Sequence, residues 1–103
     1  AVTAMESHVG DPLSLAQLAL VVQITPRHLN RLFNDAFGQS VMDYYRALRL
    51  GTARQLVRST AMNIGEIAAS TGFSNAGHFS NAYRAQFGIR PRADRLTPQA
   101  EFT

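Results

Sequence analysis

The sequence predicts an all-α fold of seven helices, in which two helix-turn-helix subdomains are joined by a long central helix. Three observations predict this fold: a segment repeated about fifty residues later, helix-capping residues that bracket both copies, and small residues at matching positions inside each copy. Strand signals are nearly absent, because the β-leaning run ALVVQI follows the apolar spacing of a helix. We therefore expect a homeodomain-like tandem.

The repeat is recognised from a His, an aromatic residue and a Phe-Gly ending. His28, Phe33 and Phe37-Gly38 recur fifty positions later, as His78, Tyr83 and Phe87-Gly88. Upstream apolar residues match at an offset of forty-nine: Leu15, Leu18, Ala19 and Ile24 with Ile64, Ile67, Ala68 and Phe73. The second copy therefore carries one extra residue near positions 74–78, where a loop meets the start of a helix.

The first three helices are predicted near residues 1–9, 15–21 and 26–37. Ser14 and Gln17 form a capping-box pattern before the second helix. Thr25-Pro26 is typical of an N-cap followed by a proline at the first helical position. Gly38 follows the third helix, where a left-handed residue commonly ends a helix.

The remaining helices are predicted near residues 41–58, 64–70, 75–87 and 91–96. Ser40 caps the long helix, and Asp43 in its first turn favours the helix dipole. Asn63 and Glu66 resemble a second capping box. The predicted domains are residues 1–40 and 59–96 as helix-turn-helix subdomains, 41–58 as a linker helix and 97–103 as a disordered tail, since TPQAEFT has no periodic partner.

Each copy places a small residue where two short helices must cross closely. Ala19 occupies this slot in the first copy and Ala68 in the second. The turn that follows contains Gly72 in the second copy, where a positive φ costs glycine little. The first copy has Gln23 there, and an L-residue in that conformation pays about 1–2 kcal/mol. The first turn is therefore either distorted or strained.

The composition permits a small globular protein with an anionic partner. The chain has 103 residues, 46% of them hydrophobic, with a net charge of +3, and all ten basic residues are Arg. Arg-rich composition reflects either codon usage or recognition of phosphates and bases. Cys is absent, which excludes disulfides and thiolate chemistry and fits a cytoplasmic protein. No apolar run approaches the roughly 20 residues of a membrane span.

The second helix of each copy carries the candidate DNA-reading residues on the face opposite its apolar stripe. Arg and Asn pair bidentately with guanine and adenine, and small residues permit close approach or contact with a thymine methyl group. The candidates are Arg27, Asn30, Arg31 and Asn34 in the first copy, and Ala76, Gly77, Ser80 and Asn81 in the second. Any solvated helix face can carry Arg and Asn, but neither face has an acidic residue at these positions.

Candidate phosphate contacts lie at helix starts and beside the reading helices. They are Thr25, His28, Ser40, Ser74, Asn75, His78, Arg84, Arg90 and Arg92. No metal site is expected, because the three His residues have no ligand spacing. Four Arg residues of the long helix could either touch phosphates or pair with Glu66 or Asp43: Arg46, Arg49, Arg54 and Arg58. Arg95 either contacts the DNA backbone or is structural.

Five segments within residues 13–95 resemble the DNA-binding domain of the AraC/XylS family of bacterial transcription regulators. They are LSLAQLA, TPRHLNRLF with its following FG, YYRALRLGTARQLV, IGEIAASTGFSNAGHFSNAYRAQFG and PRADR. The opening PLSL and the ending FSNAGHFSNAYRAQFGIRPRADR are most similar to the subgroup with an amidotransferase-like N-terminal domain. The resemblance implies a monomeric unit that inserts two recognition helices into the major groove on one face of promoter DNA. Relatives often carry Arg where this chain has Asn81, so an adenine preference or a weaker second half-site is expected.

The resemblance also implies a partner and an effector. Family members often activate transcription through RNA polymerase in response to a small molecule bound by a preceding domain, and no cofactor is expected. The chain begins AVTAMESHV without an initiator Met, so we expect a fragment of a longer protein, with an independent small activator as the alternative. An enzyme is disfavoured because no Gly-rich phosphate loop, nucleophile elbow or paired carboxylates are found. A helical protein-interaction module remains the alternative to DNA binding.

Overall fold

A computed structural model describes residues 1–96, and its regular secondary structure is entirely helical. Across that range there are seven helices: α1 Val2–Ser7, α2 Leu15–Val21, α3 Pro26–Phe37, α4 Val41–Ser59, α5 Ile64–Ser70, α6 Ala76–Phe87 and α7 Pro91–Leu96. The predicted all-α class and helix number are confirmed, and the bounds differ by at most one residue except at the end of α1, where they differ by two. The predicted disordered tail, residues 97–103, lies outside the described residues.

The helices begin and end at the residues that the sequence marks as caps. The Ser14 hydroxyl accepts from Gln17 N, and the Gln17 side chain accepts from Ser14 N. The Asn63 side chain accepts from Gly65 N at 2.7 Å and completes the second capping box with Glu66. Because these bonds satisfy N–H groups that a helix leaves without partners, they set where α2 and α5 start.

The chain forms two compact units, with the boundary between Arg49 and Leu50 inside α4. The buried core of the first unit consists of Met5, Leu18, Ala19, Leu29, Phe33, Val41 and Tyr45. The core of the second consists of Leu50, Ala53, Val57, Ile67, Ala68, Phe73, Phe79 and Tyr83. Each half of α4 thus supplies side chains to one core. The predicted assignment of residues 41–58 to a separate linker helix stays a prediction.

The turn of each helix-turn-helix closes with a backbone hydrogen bond to the small crossing residue. Ile24 N donates to Ala19 O at 3.1 Å, and Phe73 N donates to Ala68 O at 2.9 Å. Both alanines are only 2% exposed, so there is no room for a longer side chain at either crossing. The repeated spacing therefore corresponds to two copies of the same tight turn.

The first of these turns holds an L-residue in the left-handed region. Gln23 has φ 59°, whereas Gly72 has φ 83° at the matching place in the second copy. Of the two alternatives that the sequence left open, the structure shows a strained turn and not a rearranged one. The consequence for stability is a cost of about 1–2 kcal/mol that the second copy avoids.

The second core contains a buried ionic cluster around Asp94, which is 1% exposed. Asp94 accepts from the Tyr83 hydroxyl and from Arg58 Nε and Nη2, the latter at 3.1 and 2.9 Å. Arg54 Nε lies 3.3 Å from the same carboxylate, and its guanidinium stacks over the Phe87 ring. These contacts join α4, α6 and α7 into one unit.

The structure supports in part the alternative that the Arg residues of α4 pair with acidic residues of the same chain. Arg46 pairs with Asp43 at 2.9 Å, as that alternative predicts. Arg54 and Arg58 also pair within the chain, but with Asp94 and not with the acids suggested by sequence proximity. Arg95 Nε donates to Val57 O at 2.9 Å, which supports its structural alternative.

Candidate nucleic-acid interface

The first reading surface is the outward face of α3, formed by Arg27, Arg31 and Asn34. All three side chains are exposed, while Leu29 and Phe33 on the opposite face are buried. Thr25 accepts from His28 N at 3.1 Å and so fixes where this helix begins. The sequence thus places two guanidinium groups on a rigid, solvent-facing helix.

Asn30 lies beside this surface and also contacts the start of α4. Its side chain is half-buried, and its Oδ1 accepts a hydrogen bond from Val41 N at 2.9 Å. This bond uses one lone pair of the amide oxygen, so bidentate recognition of adenine would need the second lone pair together with the amide nitrogen. Asn30 therefore belongs to the α3–α4 junction as well, and its role as a reading residue stays a prediction. Its backbone oxygen in turn accepts from Asn34 Nδ2 at 2.9 Å.

The second reading surface is the outward face of α6, formed by Ala76, Gly77 and Asn81. All three residues are exposed; Gly77 and Asn81 lie opposite the fully buried Phe79 and Tyr83, and Ala76 is the first residue of the helix. The surface differs in chemistry from its counterpart on α3, because it has an amide and small side chains and no guanidinium among these positions. Two copies of one scaffold thus present different side chains to solvent.

A groove of about 470 Å³ lies beside the second reading surface. It is lined by Asn63, Ile64, Gly65, Ala76, Ser80, Arg90, Pro91 and Arg92. Ser80 is half-buried on the wall, whereas Arg90 and Arg92 are exposed. The groove therefore combines apolar walls with two cationic side chains, which suits a chain of sugars and phosphates.

The remaining phosphate candidates divide into side chains that cap a helix and side chains that do not. His28, Ser74, His78 and Arg84 are exposed. The side chains of Thr25, Ser40 and Asn75 are engaged as caps, accepting from His28 N, Asp43 N and His78 N. These bonds fix the helix starts, but each hydroxyl keeps its O–H donor and the Asn75 amide keeps its N–H groups, so phosphate contacts by all three residues stay a prediction.

The Asp94 cluster was not predicted from the sequence. Burial by itself raises the pKa of Asp94, but the hydrogen bonds from Tyr83 and Arg58 and the charges of Arg58 and Arg54 outweigh it and hold the pKa below its usual value. Burial and the bond to Asp94 raise the pKa of Tyr83. The repeat contained a signal for this cluster. Phe33 and Tyr44 of the first copy correspond to Tyr83 and Asp94 of the second. Both positions therefore change together, from two aromatic residues to a pair that can form a hydrogen bond.

Other kinds of site find no support within residues 1–96. That range contains no group of three or more His, Cys, Asp or Glu residues arranged to hold a metal ion. None of its helices has the length and apolar character needed to cross a membrane. The exposed faces of α3 and α6 are therefore the candidate functional surfaces.

Comparison with known proteins identifies relatives over nearly the whole chain. Residues 18–96 match a protein family described as a helix-turn-helix domain. The HTH-type transcriptional regulator GbdR of Pseudomonas aeruginosa (strain UCBPP-PA14) is 44% identical over 94 residues, which cover 91% of this chain and 26% of that protein. The HTH-type transcriptional regulator ArgR of P. aeruginosa PAO1 is 41% identical, covering 92% of this chain and 29% of that protein.

A solved structure agrees with these relatives. The crystal structure of a transcriptional regulator from Chromobacterium violaceum, described as an AraC-type DNA-binding domain-containing protein, superposes with a TM-score of 0.89. It is 41% identical and covers 92% of this chain and 85% of that one. The chain spans little more than a quarter of the length of the curated relatives GbdR and ArgR.

Proposed function

The chain belongs to the AraC/XylS-type family of helix-turn-helix DNA-binding domains, and from this premise we propose that α3 and α6 read double-stranded DNA in the major groove. The family consists of transcription regulators and not of enzymes, and sequence-specific DNA binding is its activity. We assign that activity to side chains of α3 and α6.

The observation that carries the proposal is the pair of exposed guanidinium groups on α3. Arg27 and Arg31 lie one helical turn apart, on the face opposite the buried Leu29 and Phe33. A helix fits the major groove of B-DNA, and a guanidinium there can donate two hydrogen bonds to O6 and N7 of guanine. We therefore assign guanine recognition to Arg27 or Arg31, with Asn34 as a neighbouring contact.

The second reading surface supports a different preference. Asn81 offers both an acceptor and a donor, which suits N6 and N7 of adenine. Ala76 and Gly77 are small, so the helix can approach base edges closely or contact a thymine methyl group. We propose an A·T-richer second half-site, which contributes less affinity than the first.

The backbone contacts fall on the exposed cationic and polar side chains around both surfaces. Arg84, Arg90 and Arg92 surround the second surface, and His28 and His78 occupy the same slot in the two copies. Contacts of this kind set the register of a protein on the duplex without reading sequence. Two reading helices in one polypeptide suit two major-groove segments one duplex turn, about 34 Å, apart.

The regulatory context is proposed for the full-length protein. The relatives GbdR and ArgR are both called HTH-type transcriptional regulators, and each is more than three times as long as the matched region. We propose that the longer protein acts in the cytoplasm, responds to a small-molecule effector through another domain and activates transcription through RNA polymerase. This domain determines which DNA sequence the regulator binds.

Selection from random duplexes, followed by binding of variants, tests the proposal. We expect one selected motif, and Arg31→Ala should lose about 1–3 kcal/mol of binding and relax the preference at one base pair of one half-site. Asn81→Ala should do so in the other half-site. Arg46→Ala is the matched control, since Arg46 is exposed but paired with Asp43 outside both surfaces.

Salt dependence separates DNA binding from the alternative of a helical protein-interaction module. Contacts to some six to eight phosphates predict a loss of roughly 10³-fold or more in affinity between 50 and 200 mM salt. A protein-interaction module predicts binding that barely responds to salt. Selection of no motif, or unchanged base preference in both reading-surface variants, would contradict the assignment.

A further inference from the structure

The two copies of the repeat differ at the junction between the reading helix and the next helix. Asn30 and Val41 of the first copy correspond to Ser80 and Pro91 of the second, each fifty positions later. In the first copy, Asn30 Oδ1 accepts from Val41 N at 2.9 Å. Pro91 has no N–H to donate, so the second copy cannot form this bond.

In the first copy, the Asn30 amide has a structural role at this junction. Val41 is fully buried, and a buried N–H without a partner is destabilising. Asn30 supplies the acceptor and thereby ties the middle of α3 to the start of α4. The bond holds the Asn30 side chain against the start of α4, an arrangement that suits a role in positioning α3 on its unit.

The second junction leaves its hydroxyl free. Among residues 1–96, the Ser80 hydroxyl makes no hydrogen bond, although the side chain is half-buried. It lies on the wall of the groove that Arg90 and Arg92 also line. A hydroxyl can donate one hydrogen bond, and phosphate oxygens are strong acceptors. A small side chain here also keeps the groove open.

We propose that the two copies have different roles at this junction, an inference that rests on the proposed function. Asn30 is a positioning residue for α3, whereas Ser80 donates to a phosphodiester oxygen of the DNA strand held by Arg90 and Arg92. The groove then holds one strand of the sugar-phosphate backbone beside the second reading surface. Ser80 contributes affinity and register there, and base preference in that half-site comes from its neighbours on α6.

The test of Asn30 separates positioning from mere stability. Asn30→Ala should lower the affinity for DNA about tenfold through the first half-site without changing the preference at any single base pair there. It should also lower the thermal midpoint. Adding Val41→Pro removes the orphaned N–H and copies the proline of the second unit. If Asn30 positions α3, this double variant recovers thermal stability while affinity stays low. Recovery of both, or a preference altered at a single base pair, overturns the assignment.

The test of Ser80 uses duplexes with one phosphate at a time replaced by a neutral methylphosphonate. Ser80→Ala should lower affinity about three- to tenfold without changing the selected motif. One methylphosphonate that weakens binding of the unsubstituted protein should have a smaller effect on Ser80→Ala. Ser80→Asn combined with Pro91→Val, which installs the first junction in the second copy, should also weaken binding while keeping the fold.

The outcomes distinguish this inference from the proposed function. If the unsubstituted protein selects a motif but Ser80→Ala changes its base preference, Ser80 reads bases and this inference is wrong while the function stands. An identical response of both proteins to every methylphosphonate also overturns it. If the unsubstituted protein selects no motif at all, the proposed function itself fails.

Discussion

Replacing Gln23 with glycine is expected to stabilise the first unit, because the turn forces an L-residue into the left-handed region. Gln23 has φ 59°, and its exposed side chain makes no hydrogen bond among residues 1–96. Removing that side chain therefore sacrifices no packing. The backbone bond from Gln23 N to Leu20 O remains possible for glycine.

The expected magnitude is the difference between two opposing effects. An L-residue in the left-handed region costs about 1–2 kcal/mol relative to glycine. Glycine loses more backbone entropy on folding, which costs about 0.5–1 kcal/mol. Gln23→Gly should therefore raise the free energy of unfolding by about 0.5–1 kcal/mol. For a domain of this size that corresponds to a thermal midpoint higher by roughly 2–8 °C.

Thermal and urea unfolding followed by far-ultraviolet circular dichroism measures the effect, since the chain contains no Trp. The reverse change at the matching position of the second copy, Gly72→Gln, is the control and should destabilise by about 1 kcal/mol or more. A Gln23→Gly protein no more stable than the original, with an unchanged urea dependence, would refute the argument. It would mean that this turn stores no strain.

Three further perturbations test the cores. Ala19→Leu should destabilise by about 1–3 kcal/mol, because the helices cross at this 2% exposed residue, whereas Ala16→Leu on the exposed face of the same helix should change stability by less than about 0.5 kcal/mol in a urea titration. The pKa of Asp94 is lower in the folded protein than its ordinary value of 3.8. Its contribution to stability is therefore complete well above pH 3.8 and is lost as the pH falls below that value towards the folded pKa. Urea titrations across about pH 2 to 6 should show this loss, and Asp94→Asn should remove that part of the pH dependence. Tyr83→Phe should cost about 1–3 kcal/mol in thermal unfolding, because it leaves a buried carboxylate oxygen without its hydroxyl donor.

The helices and their ends were predictable because local chemistry determines them. Ser14, Asn63, Gly38 and Gly88 act on residues within one turn of helix, and the structure places each at the predicted end. The duplicated spacing made the tight crossings predictable as well, since both copies needed a small residue there. The same comparison predicted that the turn at Gln23 is either distorted or strained, and the structure shows the strained turn.

Contacts between distant segments were not predictable from spacing. Asn30 lies on the outward side of its helical pattern, and nothing near it in the sequence indicates that Val41 N, eleven residues away, takes its side-chain oxygen. Arg58 lies closer in sequence to Glu66 than to Asp94, yet it pairs with an acid thirty-six residues away. These pairings depend on how helices pack, which periodicity alone does not encode.

The duplication has a consequence for how such a regulator can evolve. Among residues 1–96, the two core clusters have no side chain in common, and each reading face is backed by its own cluster. Under the proposed function, a mutation on one face would therefore alter the preferred bases of one half of the binding site while the other half keeps its own. Promoters and protein can then diverge in small, separately selectable steps.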